Sequence, residues 1–516
     1  VTVVGSVALG ACTLAIVCAD LRWFRVAQRE HYLAGALARF SWRWVASMPI
    51  NGGLALLAVA GAATAAVVPP AAIVTGGTLA IWPLGLGVRG RTSRLAWTRR
   101  MSLVALVSVA LEALAVGLGA AFAGLSGAVV AAAFSACGAP LLIDVALMLL
   151  RPVEELLAQR YVRRATGVLA RVKPLVVGIT GSYGKTTTKN YVAHLLAGER
   201  SVVASPRSFN NRAGLTRTVN EHLTPGTEVL VAEMGAYGRG EIAELCAWLH
   251  PEIAVITSIG PSHLERFGSL ERTLEAKAEI TAGARVVVLN IDDARLEGLA
   301  KRLDATHKVV RASGTDPGAD VAVLAHGDGL ELKLEGAPYG VAVPQAGSPV
   351  PIRTNAACAA AVALELGLRP ETVAQRLGSL PGVPNRLQRH RADGGYVVLD
   401  DTFNSNPAGA RHALDALASE APTGRRMLVT PGMVELGGTQ RSENASFAEA
   451  AAAVVTEVVV VGRTNRAAIL QGCRRAVTSV PVKVVADRSE AVVWSRAQLG
   501  PGDAVLFEND LPDHFP

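Results

Sequence analysis

The stretch Gly178-Ile-Thr-Gly-Ser-Tyr-Gly-Lys-Thr-Thr-Thr188 follows the apolar run Leu175 to Ile179 and opens a segment with helical patterning. Strand, glycine-rich turn and helix in that order read as a phosphate cradle. Glycines let backbone N–H groups converge on an anionic oxygen, a lysine reaches the terminal phosphates, and a Ser/Thr hydroxyl ligates Mg²⁺. Lys185 and Thr186 take the last two roles. The spacing departs from G-x-x-x-x-G-K-[ST], because Ile179 stands where the first glycine of that pattern falls, with Gly178 and Gly181 on either side.

Outward from the loop, between Lys173 and about Ile291, short apolar runs at Val229 to Ala232, Ile253 to Ser258 and Val286 to Asn290 alternate with helical patterns. The helices are expected near Lys185 to Leu196, Glu241 to Trp248 and Leu270 to Ala282. Such alternation implies a parallel α/β sheet. Asp320 to Pro344 reads as a small antiparallel excursion and Asn355 to Leu366 as an alanine-rich helix. After the break Pro381-Gly-Val-Pro384 a second, Rossmann-like α/β unit follows, with strands near Tyr396 to Leu399, Met427 to Thr430, Val458 to Val461, Val482 to Val485 and Ala504 to Phe507.

The first 150 residues are different material. Val1 to Ile16, Gly52 to Val68, Ala71 to Leu86, Met101 to Phe122 and Ala128 to Leu150 are nearly free of charge. At about 16 to 23 residues they span a bilayer or come close to it, so about five transmembrane helices are expected. Arg22, Arg25, Arg29, Arg39 and Arg43 fall between the first two, and Arg89, Arg91, Arg94, Arg99 and Arg100 between the third and fourth. The turns Pro69-Pro70 and Gly124 to Gly127 carry no charge. The positive-inside rule then puts the arginine loops and everything after Arg151 in the cytoplasm. The expected localisation is a multi-pass protein of the cell membrane with cytoplasmic catalytic domains. The net charge of +7 resides largely at these membrane edges, and without a nucleic-acid module it does not point to nucleic acid. Six scattered cysteines form neither a disulfide frame nor a zinc motif. The expected organisation is a membrane region over 1–150, an amphipathic linker helix over 151–172, a central ATP-binding domain over 173–383 and a C-terminal domain over 384–516.

Polar residues gather where strands end, which is where ligands bind in parallel sheets. Glu233 closes Val229-Leu-Val-Ala-Glu-Met-Gly235 and is placed to hold Mg²⁺. His263 follows the strand Ile253 to Ile259, Lys277 falls on the next helix, and Asn210 and Asn211 precede another. Together with the loop, the motifs Phe209-Asn-Asn-Arg-Ala-Gly214, Glu233-Met-Gly235, Gly240-Glu-Ile242, Ile256-Thr-Ser-Ile-Gly260, His263-Leu-Glu-Arg-Phe-Gly-Ser269, Lys277-Ala-Glu-Ile280, Asp400-Asp-Thr-Phe-Asn-Ser-Asn-Pro407 and Gly432-Met-Val-Glu-Leu-Gly437 resemble the Mur ligases. The nearest pattern is that of the members which add D-alanyl-D-alanine to a muramoyl tripeptide. The resemblance runs from about Lys173 to Asp503.

It implies a Mur-ligase-like ATPase domain and an ATP- and Mg²⁺-dependent amide ligase, in which a substrate carboxylate becomes an acyl phosphate that an amine converts to an amide. Gly181, Ser182, Tyr183, Gly184, Lys185, Thr186 and Thr187 would cradle ATP, with Asn355 at the adenine and Arg386 and Asp401 near phosphate and ribose. Thr186 and Glu233 would hold one Mg²⁺, and His263 a second beside Lys277, which is carbamylated in many members. Asn210, Asn211, Asn404 and Asn406 would face substrate. Three departures bear on the substrate. Membrane segments stand where the muramoyl ligases carry a UDP-sugar domain, Pro351-Ile352 replaces a His-Asn pair, and a C-terminal Lys-Gly-Ser element gives way to Phe507-Glu-Asn-Asp-Leu-Pro-Asp513. Asp510 and Asp513, beside Glu508, are candidates to recognise the ammonium of the incoming amine.

The expected partners are a carboxylate substrate, lipid-linked or a cell-wall precursor, an amino acid or short peptide, and membrane lipid, with no nucleic acid. Alternatives are a polyglutamate-type or specialised peptide synthase and a noncatalytic membrane scaffold.

Overall fold

A computed structural model describes residues 2–515 except 66, 69, 88–94, 328, 344–351, 384, 385, 404 and 512–514. Of the positions singled out in the sequence, Pro69, Arg89, Arg91, Arg94, Pro344, Pro351, Pro384, Asn404 and Asp513 lie outside the described residues. The chain forms two compact units, Val1–Leu157 with Leu511–Pro516, and Ala158–Asp510.

The first unit is helical: α1 (Thr2–Arg29), α2 (Ala36–Ser47), α3 (Pro49–Thr64), α4 (Ala71–Ile81), α5 (Arg99–Cys137) and the start of α6 (Ala139–Val172). Where five spans were expected, two described helices, Val3–Arg29 and Arg99–Cys137, are long and apolar enough to cross a membrane, or three if α2 and α3 form one broken span. The 11 residues of α4 reach only about 16 Å at 1.5 Å per residue, against a hydrocarbon core of about 30 Å. The uncharged turn expected at Gly124 is present inside α5. Ala123 and Gly124 leave helical geometry, Gly124 at φ 56°, and the chain folds back so closely that a Cβ on Gly119 would lie 2.4 Å from the Gly127 carbonyl oxygen. The amphipathic segment expected as a separate linker is the continuation of α6, with Pro152 inside the helix. Arg22 is buried and donates to the carbonyls of Leu79 (3.0 Å) and Trp82 (2.8 Å), so its charge is spent on helix-end oxygens of the same unit.

The second unit holds two sheets. The larger contains β1 (Leu175–Thr180), β2 (Val202–Ala204), β3 (Val229–Glu233), β4 (Ile253–Ile256), β5 (Val286–Asn290), β6 (Lys308–Ser313), β7 (Val321–His326), β8 (Gly329–Leu334) and β9 (Ala337–Ala342). Their order is β2-β3-β1-β4-β5-β6-β7-β8-β9. All neighbours from β2 to β7 are parallel, and β7, β8 and β9 are antiparallel, which is the excursion read from Asp320 onward. The central parallel strands β1, β3, β4 and β5 are covered on both faces, so their residues alternate between two cores rather than between core and water. Val177 and Ile179 pack with Val192 and the alanine-rich helix Arg353–Glu365, whereas Val176 packs with Leu230, Ile256 and Ile280.

The smaller sheet contains β10 (Gln388–Arg391), β11 (Val397–Asp401), β12 (Arg426–Thr430), β13 (Glu457–Val461), β14 (Val482–Val485) and β15 (Ala504–Glu508). Its order, β10-β11-β15-β12-β13-β14, inserts the last strand at the centre. Five of its strands coincide with the sequence reading. β10 was not anticipated: Gln388-Arg-His-Arg391 is exposed along its whole length and pairs antiparallel with β11 at the sheet edge, so no apolar alternation marks it.

Candidate functional site

The glycine-rich loop joins β1 to α7 (Lys185–Leu196). Gly184 precedes the helix at φ 82° and no side chain caps the first turn, which leaves those N–H groups for an anion. A Cβ on Gly184 would sit 2.5 Å from Asn355 Oδ1, and one on Gly181 would meet Thr257 Oγ1 at 2.1 Å. Both positions therefore require glycine. Ser182 and Tyr183 fasten the loop to the end of β4: Ser182 Oγ accepts from Gly260 N (2.9 Å), and Tyr183 N donates to Ser258 Oγ (2.9 Å). Lys185 Nζ lies over the loop, donating to Gly181 O at 2.7 Å and Ser182 O at 3.3 Å. Burial holds this ammonium below the usual lysine range, opposed by Glu233 and reinforced by Arg386. An arriving polyphosphate would reverse that balance.

Glu233 ends β3 with 1 % exposure and is surrounded by donors. Thr186 Oγ1 reaches its Oε2 at 2.9 Å, Lys189 Nζ the same oxygen at 3.2 Å, and Asn210 Nδ2 its Oε1 at 3.2 Å. Lys189 was not among the sequence candidates, although it lies four residues after Lys185 and so on the same helix face. Among the described residues no group of three or more His, Cys, Asp or Glu could hold a metal. One carboxylate beside one hydroxyl at a phosphate loop nevertheless fits Mg²⁺, which takes few protein ligands and completes its shell with phosphate and water.

On one side of the loop a cavity of about 50 Å³ is lined by Lys185, Asn210, Asn211, His263 and Lys277, among others. The structure thus brings these five expected residues together. Asn211 is also committed locally, since its Oδ1 accepts from Gly214 N (2.9 Å) as the N-cap of the helix Arg212–His222. Lys277 is 3 % exposed, with Nζ 5.5 Å from the centroid of the Phe267 ring. Burial, with the charge of Lys185, lowers its amine to about 7, against the opposing pull of Glu241 and Glu279. His263 stacks edge-on with Tyr237 at 4.7 Å, and its Nδ1 hydrogen-bonds Glu435, on the loop after β12.

On the other side a cavity of about 250 Å³ is lined by Tyr183, Gly184, Thr187, Asn355, Arg386, Asp401 and Asn406 together with Tyr191, Ile352 and His412. Arg386 places its guanidinium 4.7 Å from the Phe403 ring centroid. Asp401 accepts from Leu387 N (3.1 Å), and burial raises its carboxyl to about 6 despite Arg386. Asn406 caps the helix Pro407–Glu420 by accepting from Gly409 N at 2.9 Å.

Of the acidic C-terminal residues Glu508, Asp510 and Asp513, the two described ones have different partners. Glu508 is fully buried at the end of the central strand β15, receiving hydrogen bonds from Ser405 and, at 3.0 Å, Thr430. Asp510 pairs with Arg488 (2.8 Å). Asp513 and Asn404 lie outside the described residues.

Two family models match this chain: the Mur ligase middle domain over residues 179–363, and the Mur ligase, glutamate ligase domain over residues 385–508. The chain is 36% identical over 366 residues to a UDP-N-acetylmuramoyl-tripeptide--D-alanyl-D-alanine ligase of Mycobacterium tuberculosis, covering 64% of this chain and 70% of that protein. It is 29% identical over 352 residues to the enzyme of the same name from Bacillus subtilis, covering 67% and 75%. A crystal structure of MurF ligase from Thermotoga maritima in complex with ADP superposes with a TM-score of 0.60 at 27% identity, covering 68% of this chain and 80% of that one. The helices α1 to α6, which end at Val172, precede both matched ranges.

Proposed function

The chain belongs to the Mur ligase family, and from that premise we propose that this ATP-dependent ligase is membrane-anchored and joins an amino acid or short peptide to the carboxylate of a lipid-linked cell-wall precursor. The observation that carries the chemistry is Thr186 hydrogen-bonded to Glu233 at 2.9 Å beside Lys185, with one cavity on each side of the loop. What favours a lipid-linked acceptor is the pair of apolar helices, long enough to cross a bilayer, that precede the matched domains. The arginines of the first unit favour a cytoplasmic ligase portion.

In this reading ATP lies with its triphosphate along Gly181 to Thr187 and its base and ribose toward Asn355, Arg386 and Asp401. The first-turn N–H groups of α7 and the Lys185 ammonium hold the phosphates and stabilise charge that shifts as the γ-phosphoryl leaves ADP. The substrate carboxylate enters from the cavity lined by Asn210, His263 and Lys277, and one of its oxygens attacks the γ-phosphorus. The amine then attacks the acyl carbon of the resulting acyl phosphate and phosphate departs. Thr186 and Glu233 would hold Mg²⁺, which supplies charge neutralisation on the phosphates. His263, with Lys277 as its carbamate, would hold a second ion. Asn211, Asn404 and Asn406 are assigned to substrate, although Asn406 lines the larger cavity with Asn355 and Asp401. Asp510, held by Arg488, and Asp513 remain the proposed partners of the incoming ammonium.

The test is ADP release and product mass with the detergent-solubilised full chain, Mg²⁺ATP, UDP-linked and lipid-linked tripeptide acceptors, and an amine panel that includes D-alanyl-D-alanine. Turnover confined to lipid-linked acceptors is expected. Equal turnover of UDP-linked acceptors would remove the lipid assignment, and full ligation by Lys185→Ala would remove the site.

A further inference from the structure

The larger cavity beside the loop holds a side chain that the chemistry above leaves unused. His412, on the helix Pro407–Glu420, lines it, and its Nε2 is buried without a hydrogen-bond partner among the described residues. An orphaned buried ring nitrogen is costly unless something completes it. Among its polar neighbours in the cavity wall, Asn355 is already assigned to the adenine and Tyr183 Oη is also buried without a partner among the described residues, whereas four others are engaged. Asn290 donates to Thr257 O and accepts from Asp292 N, Ser258 binds the Tyr183 backbone, Asp401 accepts from Leu387 N, and Asn406 caps its helix.

We propose that His412 reads the nucleobase: its Nε2 accepts a hydrogen bond from the exocyclic amino group of an adenine seated in this cavity. The inference rests on the nucleotide reading above and deepens it. Gly184 and Thr187 bring the phosphate loop into the same cavity, so a nucleotide held by the loop has its base within this space. Ile352, Val383 and Leu387 supply apolar surface for the faces of a purine, and the edge then needs a polar partner. Burial and the nearby charge of Arg353 hold the imidazole below the usual histidine range, opposed by Asp415, so the ring is neutral at neutral pH and has an acceptor nitrogen.

Calorimetric titration of the solubilised full chain with ATP, with purine riboside triphosphate, which lacks the amino group, and with inorganic tripolyphosphate tests this. Wild type should bind ATP about tenfold more tightly than purine riboside triphosphate, the ratio expected for one neutral hydrogen bond. His412→Ala should erase that preference while binding tripolyphosphate as wild type does, and Lys185→Ala should weaken all three ligands. His412→Gln, whose carbonyl also accepts, should restore part of the preference. If His412→Ala loses tripolyphosphate binding through misfolding, His412→Phe keeps the bulk without a polar atom and gives the same comparison. A variant lacking the imidazole that retains the wild-type preference overturns the proposal. Wild type that binds both nucleotides equally overturns it alone, and wild type that binds neither nucleotide nor tripolyphosphate overturns the ligase reading with it.

Discussion

Nδ1 of His263 and the carboxylate of Glu435 are hydrogen-bonded across 172 positions of sequence, joining the loop after β4 to the loop after β12. The contact is doubled by the backbone, since Leu264 N donates to Glu435 O at 3.1 Å. One sheet thereby orients a side chain that the other sheet carries into the cavity lined by Lys185 and Lys277. In the proposed mechanism His263 is a metal ligand, and removing a group that orients a ligating histidine typically costs about 10–100-fold in affinity or activity. Glu435→Ala should therefore lower kcat by about that factor while changing the KM for ATP much less, because the nucleotide cavity does not include Glu435. Steady-state rates at varied ATP distinguish the two. An unchanged kcat would mean that the pairing is incidental.

The Lys189–Glu233 pair makes a second prediction. Both side chains are 2 % exposed, and removing one member of a buried ion pair strands the other, at about 3–5 kcal/mol. Lys189→Met should destabilise the nucleotide-free protein by that order, read as a fall in melting temperature. The double variant Lys189→Met/Glu233→Gln should recover part of the loss, because no charge is then left unpaired. Strict additivity of the two single effects would refute the coupling.

Much of this site was legible because phosphate binding needs unusual local residues. Gly181 and Gly184 have no room for a Cβ, and the Lys-Thr pair must open a helix, so the loop stands out in sequence. Strand ends were legible for a similar reason: in a sheet covered on both faces, a carboxylate such as Glu233 interrupts an apolar run where ligands gather. Lys189 and His412 were not singled out, and Glu435 stood only within the motif Gly432 to Gly437 without a role of its own. Each acquires its role from a partner more than 40 positions away or from a cavity formed by distant elements, and no local pattern encodes that. Of the five expected spans, two described helices, or three with a broken pair, are long and apolar enough to cross a membrane, since composition marks apolar segments but not where helices such as α4 end. Glu508, read beside Asp510 and Asp513 as part of an acidic group that meets the incoming ammonium, is in the structure the buried polar end of a central strand.

That placement of Glu508 has a pH signature. Burial raises its carboxyl to about 8 from 4.5, with Asp401 adding repulsion and Thr430 opposing. The native state then keeps a proton that the unfolded chain has released. The associated stability is fully present below pH 4.5 and is lost as pH rises through about 8. Glu508→Gln, which cannot ionise, should gain on wild type in melting temperature over that interval and hold a constant difference above it. A difference that stays flat from pH 4.5 to 8 would show that the Ser405 and Thr430 hydroxyls keep Glu508 ionised.

Lys277 shifts in the opposite sense, from 10.5 to about 7, because burial and Lys185 disfavour its ammonium. The unmodified native amine therefore binds fewer protons than the unfolded chain between these values. Its stability relative to Lys277→Met should rise with pH from about 7 to 10.5, the reverse of the Glu508 profile. The same shift supplies a nucleophile at neutral pH. The lone pair on Nζ adds to the carbon of CO₂ and the nitrogen gives up a proton, leaving an anionic carbamate next to His263 in the reaction-side cavity. With ¹³C-bicarbonate, a carbamate resonance should grow as pH climbs through 7 and be absent from Lys277→Met. Wild type that shows only the bare amine under bicarbonate would leave His263 without an anionic neighbour at position 277, and the second Mg²⁺ would have to be dropped from the mechanism.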